Sequence, residues 1–367
     1  MDQEKTELIL GAYLARLSEM DDLMTNDESA KWRAVAHFQE TWNAGGPFTE
    51  RYAGAIQEAG DLLDPGHKRT TDGVAFLLRY PQEQFFAEQC FEWLFSADDG
   101  DLGARSNRIA EFTVQMQGQI EKHSRQYRSL PLTRETALSF LNLARPAENY
   151  FFEKDEANFF AACVDYPADF SGGLDLPTYY AMCEELRAIV VSDAKLMRQN
   201  ELRGIKNGVS ELDDQSHLLV YDIIHCNYKY GLMPGRKPGK ISRAETSQRL
   251  SRHEEKEELD RKIMMASVKL KRLQGEEEKT VPLRNGTTVI HRAYGAGRVA
   301  ECTMTDIAVD FGTDTKKFRF PDAFDRGFLT LGDTAAMDDC AEVMRRREER
   351  RRLELDLKRM QQKRSRM

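Results

Sequence analysis

"VIHRAYGAGRVA" runs from Val289 to Ala300, and within it Gly295, Gly297 and Ala300 satisfy the relaxed dinucleotide fingerprint G-x-G-x-x-G/A. That fingerprint holds a pyrophosphate only where a strand enters the glycines and a helix leaves them, because the helix N-terminus supplies the amides. Nothing after Arg298 has a helical period. "TTVIH" is β-branched, "IAVDF" alternates Ile307, Val309 and Phe311 against Ala308 and Asp310, and "KKFRF" sets Phe318 and Phe320 opposite Lys317 and Arg319. Several short strands within about fifty residues predict a small barrel. Gly295 and Gly297 then read as the tight turn and positive φ between two strands, and no nucleotide or other cofactor is expected.

The residues on either side of this barrel read as helices. Before it, Leu259, Ile263, Ala266, Leu270 and Leu273 recur at spacings of three and four in a charged stretch, as in a short coiled-coil seam. After it, Met337, Ala341 and Met344, then Leu353, Leu357 and Met360, repeat that spacing on a very basic helix. Each stripe is too narrow to be buried alone, so the two are expected to pair antiparallel within the chain, or between chains in a dimer.

Residues 1–235 read as a multi-helical domain. "KWRAVAHFQETWN" puts Trp32, Val35, Phe38 and Trp42 near one face, and "YPQEQFFAEQCFEWLF" stacks Phe86, Cys90 and Trp93 with Leu94 after Pro81 in the first turn. "TYYAMCEELRAIVV" sets Tyr179, Met182, Cys183, Leu186, Ile189 and Val190 at helical spacing, and "YDIIHCNYKYG" makes the last helix before "LMPGRKPGK". These stripes are core. The expected order is a helical domain (1–235), a basic helical linker (236–280), a small all-β barrel (281–332) and a basic C-terminal helix (333–367). The fold class is mainly α.

With 367 residues, 31% charged and 41% hydrophobic, the composition is that of a globular chain able to bury a sizeable core. No apolar run reaches the eighteen or so residues that span a bilayer, and "MDQEKTELIL" lacks a signal-peptide pattern, so a cytoplasmic protein is expected. The six cysteines (Cys90, Cys163, Cys183, Cys226, Cys302, Cys340) form no C-x-x-C pair and read as buried thiols. The net charge of -8 is uneven: residues 1–235 carry 22 basic and 38 acidic groups, whereas 341–367 carry 11 and 5. Contact with nucleic acid would therefore fall to the basic segments.

"VIHRAYGAGRV", "IAVDFG" and "KKFRFPDAFDRGFL" resemble the Tudor-like (SH3-like) barrel at the C-terminus of UvrD/PcrA-type helicases and, more distantly, the CarD-type polymerase-interaction module. The shared turn pattern falls on His291, Tyr294, Gly295, Gly297 and Val299, followed by Val309 and Phe311. That resemblance implies docking on a protein partner rather than catalysis, with His291, Tyr294, Arg298 and Arg319 as the partner-binding residues. The helical body is similar, more loosely, to the region preceding the motor in McrBC-type restriction ATPases. No motor follows, and "GRKPGK" puts Ile241 where a P-loop needs Ser or Thr.

Other chemistry lacks its residues. The seven histidines contain no H-E-x-x-H and no i, i+4 pair, so no metal site is expected. His225 and Cys226 are adjacent on a helix and point to different faces. No G-x-S-x-G elbow supplies a nucleophile. Asp98, Asp99, Asp101, Asp213 and Asp214 lie in loops, where carboxylates are expected to be solvated. Arg345, Arg346, Arg347, Arg350, Arg351 and Arg352 would suit a phosphate backbone, or would pair internally with Glu348, Glu349, Glu354 and Asp356. Tyr294, Phe311, Phe318, Phe320, Phe324 and Phe328 either pack the barrel core or cage a cation.

The resulting expectation is a non-enzymatic adaptor that joins a protein partner to nucleic acid, DNA or RNA, or to a nucleic-acid machine in defence, repair or transcription. Two alternatives are an enzyme in the helical body, which a deep pocket of converging polar groups would favour, and a structural coiled-coil oligomer.

Overall fold

The computed structural model describes residues 1–208, 213–277, 283–332 and 334–367; the side chains at 67, 276, 277, 334–340 and 342–344 fall outside this description. The architecture is mainly α, with a small curled antiparallel sheet towards the C-terminus. The chain divides into two compact units, Met1–Leu250 and Ser251–Met367.

The first unit holds α1 (Gln3–Met20), α2 (Ala30–Asn43), α3 (Phe48–Ala55), α4 (Gly60–Leu63), α5 (Asp72–Leu77), α6 (Pro81–Leu94), α7 (Leu102–His123), α8 (Arg134–Ala144), α9 (Lys154–Cys163), α10 (Leu176–Ser192), α11 (Ala194–Asn207) and α12 (His217–Tyr230). Acidic side chains start several of them by accepting the orphan amides of the first turn. Asp2 accepts from Lys5 N, Asp175 from Thr178 N, and Asp193 from Lys195 N and Leu196 N. Pro81 and Pro177 sit in first turns, where no amide is missed.

One apolar core runs through this unit. Phe91 lies at its centre, with the rings of Phe112 and Phe140 edge-on at 4.9 and 5.0 Å. Burial of each such ring contributes about 2–3 kcal/mol. The expected α6 stripe is corrected here: Trp93 is 49% exposed while Phe91 is fully buried. The buried positions Ala87, Cys90, Phe91 and Leu94 define the inward face, and residue 93 lies off it. The other aromatic stripes hold, with Trp32, Val35 and Phe38 buried on α2 and Tyr179, Met182, Cys183, Leu186 and Val190 buried on α10.

The solvated reading of the loop carboxylates holds for Asp99, Asp101 and Asp214, which are exposed, and is overturned for Asp98 and Asp213. Asp98 is buried, accepting from Arg105 Nε at 2.8 Å and Arg105 Nη2 at 2.6 Å, with Arg108 on its second oxygen. The two guanidiniums, Arg105 first, hold its carboxyl well below the usual range. Asp101 caps α7 through Gly103 N and Ala104 N. Asp213 accepts from Leu218 N at 2.9 Å, Leu219 N at 3.2 Å and Asn200 at 3.0 Å; burial still pushes its carboxyl up to about 6.

α13 (Arg243–Glu277) begins in the first unit and continues into the second, which also holds β1 (Thr288–His291), β2 (Gly295–Cys302), β3 (Asp306–Asp310), β4 (Thr315–Arg319), α14 (Asp322–Asp325), β5 (Leu329–Leu331) and α15 (Thr334–Arg364). The strand order is β4-β3-β2-β1-β5, every pair antiparallel, and the curled sheet makes a half-barrel. Its core contains Val289, Val299, Ile307, Val309, Phe320 and Leu329.

The two glycines of the opening stretch act differently. Gly295 has φ +74° and closes the three-residue loop Arg292–Tyr294 between β1 and β2. Gly297 lies inside β2, paired with Val289, and is no turn residue. A Cβ there would lie 2.7 Å from both Phe311 and Val309, so only glycine lets that ring cover the strand. Neither glycine opens a helix; both lie in β2, so the helix N-terminus that the dinucleotide fingerprint requires does not follow them.

α13 and α15 run antiparallel within the second unit. Lys269 pairs with Glu349 at 2.6 Å and Asp260 with Arg364 at 2.7 Å, so lower numbers on one helix meet higher numbers on the other. Leu259, Ala266 and Leu273 are buried and Leu353, Leu357 and Met360 half-buried, as the seams predict. Ala341 is exposed, and the seam positions Met337 and Met344 lie outside the described side chains.

Candidate functional site

At one end of the half-barrel four rings converge. His291 stacks on Tyr294 at 4.6 Å and lies 5.1 Å from Phe318, while Phe311 sits 5.4 Å from Tyr294 and 6.3 Å from Phe318. Alternation along β1 and β4 places His291 and Phe318 on the inner face, and the β1–β2 loop delivers Tyr294 over them. Tyr294 is 53% exposed, so this group is a surface platform resting on the core. Lys316 lies 5.9 Å from the Tyr294 ring centre and pairs with Asp314, which shows that the platform accepts a cation at its edge. Phe320 is instead buried core and Phe324 packs against it, while Phe328 is exposed and belongs to neither group.

The four expected partner-binding residues do not form one group. His291 is buried, and its Nδ1 accepts from Ala293 N at 3.0 Å and Tyr294 N at 3.2 Å. It shapes the loop that holds Tyr294. Arg298 pairs in register with Asp310 and Arg319 with Asp306, both on the outer face with Ala308 and Lys317. Tyr294 therefore belongs to the platform, and the two arginines to the opposite surface.

The arginines of α15 are also divided. Arg345, Arg351 and Arg352 are exposed, whereas Arg346, Arg347 and Arg350 are half-buried. Arg347 Nη1 donates to the carbonyl of Phe320 at 3.1 Å, anchoring the helix to the end of the sheet. Arg345, Arg347, Arg350 and Arg351 line a groove of about 740 Å³ with Asp322, Asp325, Glu348 and Glu354. Its charges are balanced within the unit; Arg350 pairs with Glu354 at 3.4 Å, but Glu349 turns to Lys269. Of the exposed arginines, Arg345 and Arg351 line this groove beside its acidic groups, and Arg352 is not among its lining residues.

The first unit contains a site that the sequence did not announce. Asp222 is fully buried on α12 and accepts from Lys31 at 2.8 Å, Arg203 at 2.7 Å and Tyr13 at 2.6 Å. Burial raises its carboxyl, but Arg203 and Lys31 outweigh this and bring it down to about 2. Next to it, Glu28 receives Lys31, Lys229 and Tyr230. His225 sits between two carboxylates, Nδ1 2.7 Å from Glu156 and Nε2 3.4 Å from Glu28. Both ring nitrogens face acceptors, which favours the imidazolium.

Glu28, Asp222 and Cys226 bring three potential metal-ligand atoms together. The Lys31 ammonium already meets both carboxylates, and burial pushes the Cys226 thiol well above its usual range. These residues fit a lysine rather than a metal ion. Of the cysteines, Cys90, Cys163, Cys183, Cys226 and Cys302 are buried thiols, and Cys340 lies outside the described side chains. No helix among the described residues is long and apolar enough to cross a membrane.

Comparisons of the chain with protein-family models, with curated proteins and with solved structures found no match.

Proposed function

We propose that the chain is a non-enzymatic cytoplasmic adaptor whose second unit joins a protein partner to nucleic acid. The observation that carries this reading is the half-exposed platform of Tyr294 over His291, Phe311 and Phe318, an amphipathic surface. A basic side chain of the partner would take the place at the rings that Lys316 now approaches. The resemblance to Tudor-like barrels of UvrD/PcrA-type and CarD-type proteins supports the same role. Arg345, Arg351 and Arg352 would meet phosphates from the exposed side of α15.

The test uses the full chain and an Arg345→Ala, Arg351→Ala, Arg352→Ala variant against DNA and RNA duplexes over a range of salt. Each phosphate that the variant no longer neutralises should flatten the log-log slope by about 0.7 to 0.9. Equal binding and equal slope would remove α15 from the mechanism. Affinity purification from the native cell, with Tyr294→Ala as control, tests the platform: a partner kept equally by both proteins would place docking elsewhere.

A second reading, catalysis in the first unit, is favoured by one observation. His225, held by Glu156, lines a cavity where polar groups converge.

A further inference from the structure

α13 carries apolar side chains on two faces. On one, Leu259, Ala266 and Leu273 are buried, with Ile263 and Leu270 half-buried beside them. At about 3.6 residues per turn, Met264, Met265 and Val268 fall on the opposite face. They are 62%, 70% and 63% exposed. Three large apolar side chains within little more than one turn of so charged a helix form a contiguous patch, and exposed patches of this kind mark interaction surfaces.

The charges on either side of the patch complement one another. Glu254, Glu257 and Glu258 lie on its N-terminal side and Lys271 and Arg272 on its C-terminal side, all of them exposed. Glu257 and Arg272 stand equally far along the helix from the midpoint between Met264 and Met265, and so do Glu258 and Lys271. A two-fold axis through that midpoint therefore brings the acidic end of one helix to the basic end of a second, antiparallel copy. A parallel arrangement would set acidic end on acidic end and basic end on basic end.

We propose that a second copy of this chain covers the patch, α13 packing antiparallel on α13 of that copy with Met264 and Met265 beside the two-fold axis. Glu257 then meets Lys271 of the second copy and Glu258 meets Arg272 of the second copy, each pair occurring twice by symmetry. Arg261, which pairs with Glu258 at 3.5 Å, comes level with Val268 of the second copy and covers it with its apolar stem. The seam with α15 lies on the other face of α13 and is kept within each chain. Only three apolar side chains from each copy are buried, so the dimer is weak and forms in the micromolar range. It goes beyond the adaptor reading, and would present two Tyr294 platforms to one partner.

Sedimentation equilibrium of the full chain from about 1 µM to about 1 mM tests it: the mass should rise from one chain to two, with Kd at or below about 100 µM. Met264→Gln with Val268→Gln, both at exposed positions, should weaken association at least about tenfold without loss of helix by circular dichroism. Glu257→Lys with Glu258→Lys should weaken it at low salt, and adding Lys271→Glu with Arg272→Glu to that protein should restore it. Orientation is read by mild oxidation. Met264→Cys, beside the axis, should give a species of twice the mass that the unsubstituted chain does not give, whereas Lys271→Cys, far from its own copy, should not. A single-chain mass at the highest concentration, unchanged association of the folded glutamine variant, no recovery on the second charge reversal, or a doubled species from Lys271→Cys rather than Met264→Cys would overturn the proposal.

Discussion

Arg203 and Asp222 meet inside the helical body, Nη1 to Oδ2 at 2.7 Å, on side chains only 2% and 0% exposed. The pair ties α11 to α12, and Arg203 also lies over the Trp32 ring at 4.1 Å, which brings in α2. Desolvating two charges offsets much of their attraction, but removing one partner leaves the other buried and short of counter-charge. Asp222→Ala should therefore cost up to about 3–5 kcal/mol, because it leaves buried Lys31 with Glu28 alone and buried Arg203 with Asp21 alone. Urea unfolding followed by tryptophan fluorescence measures it; a loss below about 1 kcal/mol would show that water reaches the cluster.

The same cluster sets how stability depends on pH. Asp222 is lowered from 3.8 to about 2 on folding, so its contribution is complete above 3.8 and disappears as pH falls through about 2. His225 behaves in the opposite sense. Burial and Lys31 oppose its charge, but Glu156 and Glu28 prevail and raise its pKa above the ordinary 6.5. That contribution is complete below 6.5 and is lost as pH rises through the folded value. Unfolding measured from pH 5 to pH 9 should show a decline on the alkaline side that His225→Gln removes; an identical profile in both proteins would assign the decline to another group.

Gly297→Ala should destabilise the half-barrel by about 1–3 kcal/mol, since the added methyl must displace Phe311 and Val309 from 2.7 Å. Calorimetry of the second unit's transition in the full chain checks this. Titration of the unsubstituted chain with NAD, ATP or GTP should give no saturable heat. A signal abolished by a folded Gly297→Val protein would restore a nucleotide site to the glycine motif.

The strands were legible because their causes are local. Ile307, Val309 and Phe311 alternate with Ala308 and Asp310 within one short stretch, and the period alone separates strand from helix. Gly297 was misplaced because its cause is not local: the ring that forbids a side chain belongs to Phe311, brought across by the β2–β3 register. Asp98 and Asp213 looked like solvated loop residues because a carboxylate's burial depends on which donors surround it, and chain position alone leaves that open. The cavity was invisible for the same reason, its walls coming from residues as distant as Ala34, Leu62, Glu156 and Tyr221. Where charge patterning is concerned, the arginine run was visible but its pairing was not. Arg347 spends a donor on the Phe320 carbonyl, an interaction that no spacing rule on α15 anticipates.

The pairing of α13 with α15 makes the last prediction. Lys269 with Glu349 and Asp260 with Arg364 fix the direction of the two helices, and between these ion pairs Ala266 is buried opposite the stretch that contains half-buried Leu353 and Leu357. Exposed pairs of this kind contribute only about 0.2–1 kcal/mol each, so the apolar seam must supply most of the association. Cysteines introduced at Ala266 and Leu357 should then join within one chain under mild oxidation, giving a species of unchanged mass that runs faster on a non-reducing gel. A species of twice the mass would mean that the seam pairs between two copies. Absence of both, with Leu353 in place of Leu357 as the second register, would leave the two helices apart in solution and their ion pairs without effect.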